Sequence, residues 1–158
     1  METIFHQVWI KADKEKIFEA LTTQKGLSDW WGNAGETKLE TGFVIEFHHS
    51  TKIEMKITEF IPGKYLAWEC ISKIDSPDNP GSEWFGTKIS FRLQQKNGFI
   101  NLNFRHSHWV SQSEFFGVCN YHWARHLSIL KHLCETGISL LEPENEKKQQ
   151  EAVIKGKV

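Results

Sequence analysis

The sequence predicts an α+β fold in which a curved antiparallel sheet of about six to seven strands wraps around one long C-terminal helix. Short runs of alternating apolar and polar residues follow one another through the middle of the chain, one long stretch near its end has helical spacing, and two short helical segments follow the first strand. A sheet with one apolar face needs a cover, which the long helix can supply.

The first part of the chain predicts one strand and two short helices. In residues 4–10 a period of two places Ile4, Val8 and Ile10 on one face, which is typical of a strand. Asp13 is a suitable N-cap for a helix over residues 14–21. A second short helix over residues 27–31 ends before Gly32.

The middle of the chain predicts an antiparallel meander of strands. The Asn97-Gly98 pair between two alternating runs is the strongest hairpin signal. The predicted strands cover residues 37–40, 43–48, 52–60, 65–72, 84–94 and 99–108.

The long helical pattern covers residues 113–136 and ends before Gly137, a natural C-cap. At about 100° per residue, the apolar side chains fall on one broad face. That face carries Phe115, Phe116, Cys119, Trp123, His126, Leu127, Leu130, Leu133 and Cys134.

Length, charge and cysteine content restrict the class of protein. With 158 residues the chain is the size of one domain, and we expect a folded unit at residues 1–140 and a charged tail at residues 141–158. A net charge of −1 provides no basic surface for a phosphate backbone, so no nucleic-acid partner is expected. Three widely spaced cysteines, with no signal peptide and no membrane span recognisable, predict a cytoplasmic protein with reduced thiols.

The order of the elements is that of a helix-grip fold, and several segments match one superfamily. They are the start of the chain with GLSDWW at residues 26–31, WEC at 68–70, GTKISF at 86–91, and Trp123 with the leucines that follow it. These segments resemble the START-like, birch-allergen-like (SRPBCC) superfamily, and within it the branch named for the activator of the heat-shock chaperone ATPase. The resemblance covers about residues 4–138. It implies the fold but no catalytic residue, since members include carriers, receptors, cyclases and co-chaperone domains.

Histidines on apolar faces are the most informative anomaly. The strand predicted at residues 99–108 places His106 and His108 in line with apolar residues, and His126 lies within the apolar face of the long helix. If that helix faces the sheet, His106 and His126 both point into the space between them. A polar group there needs a partner, because leaving it unpaired costs about 1–3 kcal/mol.

Three interpretations of these histidines stay open. They are hydrogen-bonded core residues, polar anchors for a ligand, or metal ligands, since His122 and His126 have i, i+4 spacing and His106 and His108 have i, i+2 spacing. No recognised ligand motif supports the metal interpretation. We therefore expect no metal and no cofactor.

The leading functional hypothesis is binding of a small hydrophobic or aromatic ligand between the long helix and the sheet. Seven tryptophans and eleven phenylalanines predict either a bulky core or an aromatic-lined cavity, and the hypothesis takes the second option. The expected ligand-binding residues are Phe47, Trp68, Phe91, Phe104, His106, Phe116, Trp123, His126 and Leu127.

Two alternatives come from other classes of function. The resemblance implies a chaperone-associated protein-interaction domain, with a chaperone as the partner. A cyclase-like enzyme would use His106 or His126 as a general acid or base, whereas Cys119 on the apolar helix face is expected to be an inert thiol. A second copy of the chain, in a homodimer, is a further candidate partner.

Overall fold

The computed structural model describes residues 1–47, 51–74, 76 and 78–141, and for Phe47 it describes the backbone alone. The strands are β1 (Glu2–Ile10), β2 (Asn33–Ala34), β3 (Phe43–Phe47), β4 (Thr51–Ile61), β5 (Tyr65–Cys70), β6 (Lys88–Lys96) and β7 (Phe99–Trp109). The helices are α1 (Lys14–Thr22), α2 (Gln24–Trp30) and α3 (Glu114–Thr136), with a short 3₁₀ helix at Pro80–Trp84. Nearly all of the tail predicted at residues 141–158 lies outside the described residues.

One antiparallel sheet contains all seven described strands in the order β1-β7-β6-β5-β4-β3-β2. Strand β1 pairs with β7 alone, so it forms one edge of the described sheet. The two-residue β2 forms the other edge. Together with α3 this confirms the predicted α+β helix-grip fold.

Helix α3 covers the concave face of the sheet. Ser113 caps its N-terminus by accepting a hydrogen bond from the backbone N–H of Phe116 at 3.1 Å, and Gly137 ends it in the left-handed conformation with φ of 79°. The ring of Trp123 on α3 lies 4.6 Å from that of Phe104 on β7. No helix in the described ranges is long and apolar enough to cross a membrane.

The strand predicted at residues 37–40 is wrong. The chain instead makes a tight turn in which the backbone N–H of Gly42 donates to the carbonyl of Lys38 at 2.7 Å, and β2 lies earlier, at Asn33–Ala34. Gly42 has φ of 119°, and a Cβ there would lie 1.9 Å from the carbonyl oxygen of Met55. The close approach of β4 leaves room for glycine alone at this turn.

The strand predicted at residues 84–94 begins too early. The side chain of Asn79 accepts a hydrogen bond from the backbone N–H of Gly81 at 2.9 Å, which starts the 3₁₀ helix at Pro80–Trp84. A turn follows, closed by the N–H of Thr87 on the carbonyl of Trp84 at 2.9 Å. The strand therefore starts at Lys88, and Trp84 enters the interior from a helical turn.

Candidate functional site

The structure brings most of the predicted ligand-binding residues together between the sheet and α3. Six of them are buried there, namely Trp68 on β5, Phe91 on β6, Phe104 and His106 on β7, and Trp123 and Leu127 on α3. His126 is buried on α3 as well, and Phe116 is half-buried with its ring 5.3 Å from Trp109. Phe47 belongs to β3, and the structure describes only its backbone.

Trp31, which the sequence did not place in the site, lies at its centre. The rings of Trp123, Trp68, Trp30 and Trp84 stack on it at centroid distances of 5.2, 5.4, 5.9 and 6.2 Å. Helix α2 ends at Trp30, and the turn at Gly32 directs Trp31 into the space under α3. We call Trp30, Trp31, Trp68, Trp84, Phe91, Phe104 and Trp123 the aromatic core.

The rings of the aromatic core are in contact with one another. Phe104 lies 4.6 Å from Trp123, Trp68 lies 4.9 Å from Phe91, and Phe91 lies 5.4 Å from Phe104. These distances are those of packed aromatic pairs. A ligand placed between α3 and the sheet would have to separate these rings.

His106 uses both ring nitrogens in hydrogen bonds inside this core. The indole N–H of Trp123 donates to Nδ1 at 3.0 Å. An indole nitrogen can act only as a donor, so Nδ1 is the acceptor and the proton of the neutral ring is on Nε2. Nε2 lies 2.9 Å from the hydroxyl of Thr87, which donates in turn to the carbonyl of Trp84 at 2.6 Å.

The hydrogen bonds set the tautomer of His106, and its burial sets the protonation state. Burial lowers the pKa of the ring from 6.5 to about 3, because the charged form would lose its hydration. No nitrogen of His106 is available to a substrate or a ligand while both bonds are in place. The residue joins α3, β7 and the segment before β6.

His108 points out of the core, contrary to the prediction. Glu2 pairs with Trp109 and Ile4 with His106, so β7 has one more residue than β1 between these pairs. The extra residue forms a β-bulge in which His108 has φ of 69°, and Trp109 takes the inward position. The i, i+2 pair of His106 and His108 therefore does not face one site.

The second histidine pair is on α3. His126 Nδ1 lies 2.8 Å from the carbonyl oxygen of His122, and a carbonyl can only accept, so Nδ1 carries a proton. The rings of His122 and His126 have their centroids 6.5 Å apart. Within the described ranges, no three His, Cys, Asp or Glu side chains are grouped so that they could hold a metal ion.

Cys119 has the surroundings of an unreactive thiol. It is buried, and the indole N–H of Trp84 donates to its sulfur at 3.4 Å. Burial raises the pKa of the thiol to about 12, so the nucleophilic thiolate is not populated near neutral pH.

Two buried indole groups differ from those of Trp84 and Trp123, whose N–H groups donate hydrogen bonds. The indole N–H groups of Trp68 and Trp109 are buried and have no hydrogen-bond partner among the described residues. Such a donor costs about 1–3 kcal/mol when it stays unpaired. An acceptor atom of a small bound molecule would remove that cost.

Aromatic side chains also occur on the outer face of β1. Phe5 is 63% exposed and Trp9 is 41% exposed, and the guanidinium of Arg105 on β7 lies 5.3 Å from the centroid of the Phe5 ring. Clustered exposed apolar groups often mark a surface that binds another molecule.

Comparisons with known proteins agree with this architecture. A family model described as activator of Hsp90 ATPase homolog 1-like protein matches residues 11–135. No curated protein matches the chain.

Among solved structures, the Aha1 dimer from Colwellia psychrerythraea is 35% identical in sequence and has a TM-score of 0.73, with 87% of this chain and 98% of that chain covered. Protein MLL2253 from Mesorhizobium loti is 17% identical with a TM-score of 0.73, covering 84% of this chain and 96% of that one. A conserved protein of unknown function from Enterococcus faecalis is 19% identical with a TM-score of 0.63, covering 99% and 87%. The last two are similar in fold alone.

Proposed function

Because the chain belongs to the family of activator of Hsp90 ATPase homolog 1-like proteins, we propose that it is a homodimeric protein-binding domain whose partner is an Hsp90-type chaperone. In this proposal the domain has no catalytic centre of its own. Its outer surfaces bind the partners, and its interior holds those surfaces in place.

The observation that carries the proposal is the packing of the aromatic core. The rings that would line a ligand cavity contact one another at centroid distances from 4.6 Å upward. His106, the candidate acid or base of the enzyme hypothesis, is bonded at both nitrogens, and its pKa is about 3. This supports binding at the surface over binding or catalysis in the interior.

The homodimer is supported by the relative from Colwellia psychrerythraea. That protein is 35% identical over nearly its whole length and is described as a dimer. The two chains share the family fold with a TM-score of 0.73, so the same assembly is our expectation here. The exposed aromatic side chains Phe5 and Trp9 provide apolar area for an interface.

The chaperone proposal is tested by adding the purified 158-residue chain to a purified Hsp90-type chaperone. We expect direct binding and a changed rate of ATP hydrolysis by the chaperone. The background rate, measured with an inhibitor of the chaperone's nucleotide site, is subtracted. An unrelated protein of similar size and charge is the control. No binding and an unchanged rate would contradict the chaperone partner, while leaving the homodimer to its own test.

A second candidate function is binding of a small aromatic molecule with a hydrogen-bond acceptor. The unpartnered indole N–H of Trp68 favours it, because that donor lies within the aromatic core. The ligand would enter by separating rings that now touch, with Phe91, Phe104 and Trp123 around it. A ligand bound in this way would add its mass to that of the native protein.

A further inference from the structure

We infer that the free edge of β1 is the surface through which two copies of this chain associate, by antiparallel pairing of β1 with β1 of the second copy. The inference rests on the homodimer proposed above and names its interface. The two seven-stranded sheets would then form one continuous sheet across a two-fold axis.

The two edges of the sheet differ in how they are protected. The β2 edge is two residues long, and short edge strands offer little template for another chain. The β1 edge is nine residues long. Its segment Thr3–Ile4–Phe5–His6–Gln7 contains no Lys, Arg, Asp, Glu or Pro, the residues that natural edge strands use to prevent pairing.

The backbone groups on this edge can be assigned. The ammonium group of Lys131 on α3 donates to the carbonyl of Trp9, so that carbonyl faces away from β7. In an antiparallel pair, alternate residues direct both backbone groups to the same side. The N–H and C=O groups of Thr3, Phe5 and Gln7 therefore face the same free edge as those of Trp9.

Helix α3 covers one end of this edge. Besides its bond to Trp9, Lys131 pairs with Glu135 at 3.1 Å, and Glu135 accepts the backbone N–H of Lys11 at 2.8 Å. This contact holds the C-terminal end of β1. The stretch left open is Thr3 to Gln7, which is symmetric about Phe5.

The symmetry of the open stretch gives the register. Pairing centred on Phe5 places Phe5 opposite Phe5 of the second copy and Thr3 opposite Gln7, with backbone hydrogen bonds at all three pairs. The two exposed Phe5 rings meet on the outer face, each beside its Arg105. Directly opposite aromatic residues stabilise paired strands, and no two like charges lie opposite each other in this stretch.

The first test is sedimentation of the 158-residue protein and two variants. Gln7→Pro removes an N–H that faces the edge and leaves the backbone bonds to β7 intact; it also removes the exposed 3.5 Å bond from the Gln7 side chain to Asn103 Oδ1 on β7. Phe5→Lys places two positive charges opposite each other. Symmetry places each substitution at the interface twice, so Gln7→Pro loses two hydrogen bonds and Phe5→Lys replaces the aromatic pair with two like charges. We expect each variant to raise the dimer dissociation constant about 10- to 100-fold. Tyr121→Lys, at a residue that is 70% exposed on α3, is the matched control and should leave it unchanged.

The second test is disulfide trapping. Opposed residues in a hydrogen-bonded pair have Cα atoms about 5.5 Å apart, within the range that a disulfide spans. Phe5→Cys should therefore cross-link to itself on oxidation, whereas Gln7→Cys, about 14 Å from its symmetry mate by the rise per residue of a strand, should not. Cys70, Cys119 and Cys134 are buried and give little background.

The outcomes separate the two proposals. A wild-type protein that stays monomeric contradicts the homodimer, and binding of a synthetic peptide of residues 2–10 to that monomer would assign the edge to another extended chain. A wild-type dimer that persists in Gln7→Pro and Phe5→Lys contradicts the β1 edge and leaves the homodimer standing. A cross-link at Gln7→Cys but not at Phe5→Cys contradicts the Phe5-centred pairing.

Discussion

Replacing Trp31 with alanine is expected to lower the free energy of unfolding by about 3–5 kcal/mol, the range for a fully buried tryptophan. Trp31 is 2% exposed and stacks on four other tryptophans, so its removal leaves a cavity lined by rigid rings that cannot collapse onto it. Urea denaturation followed by far-UV circular dichroism measures the change.

The control for this substitution is Tyr121→Ala on the exposed side of α3. Alanine is a good helix former and little buried area is lost there, so the change should stay below about 1 kcal/mol. If Trp31→Ala were as mild as Tyr121→Ala, the aromatic core would not be what holds the sheet and α3 together.

Acidification is expected to destabilise the protein through His106. The pKa of this ring is about 3 in the folded state against 6.5 for an ordinary histidine, so the unfolded chain binds more protons between these values. The contribution of the neutral His106 ring to the free energy of unfolding is fully present above about pH 6.5, and it is lost as the pH falls towards 3. Linkage gives a loss of about 3 kcal/mol by about pH 4.5.

The variant His106→Gln isolates this effect from the other titrating groups. Glutamine can accept from Trp123 and donate to Thr87 but does not titrate, and all other ionisable groups are shared with the wild type. The free energy of unfolding of the wild type should therefore fall by about 3 kcal/mol relative to that of His106→Gln between pH 7 and about pH 4.5. A difference that stays constant would mean that His106 is not held neutral in the folded protein.

The sequence predicted the fold because its main elements carry local signals, although β2 and the 3₁₀ helix at Pro80–Trp84 were not predicted. The Asn97-Gly98 hairpin and the capped helix from Ser113 to Gly137 need no tertiary information, and both lie where the pattern placed them. Once these elements are in order, the sheet and its covering helix follow, since the apolar faces have to meet.

The details of the site depend on information that the pattern does not contain. His108 continues the alternation of β7 in the sequence, and only the bulge between the Glu2–Trp109 and Ile4–His106 pairs turns it outward and Trp109 inward. The spacing of a short helix does not indicate which way the side chain of Trp31 points. The turn at Gly32 and the packing under α3 determine its position.

Whether aromatic residues line a cavity or fill it is a question of volume. The high aromatic content was compatible with both. The distances from Trp31 to Trp68 and Trp123 favour a filled interior, because both of these rings stack on Trp31. The assignment of these side chains to ligand binding therefore stays a prediction.

Native mass spectrometry of the purified 158-residue protein is the most direct test of the central claim, since one spectrum reports both assembly and bound molecules. The account predicts twice the mass of the 18.4-kDa chain and no added small molecule. A chain that retains a stoichiometric small molecule through gentle desolvation, and loses it on denaturation, would contradict the filled interior and establish the ligand-binding function in its place.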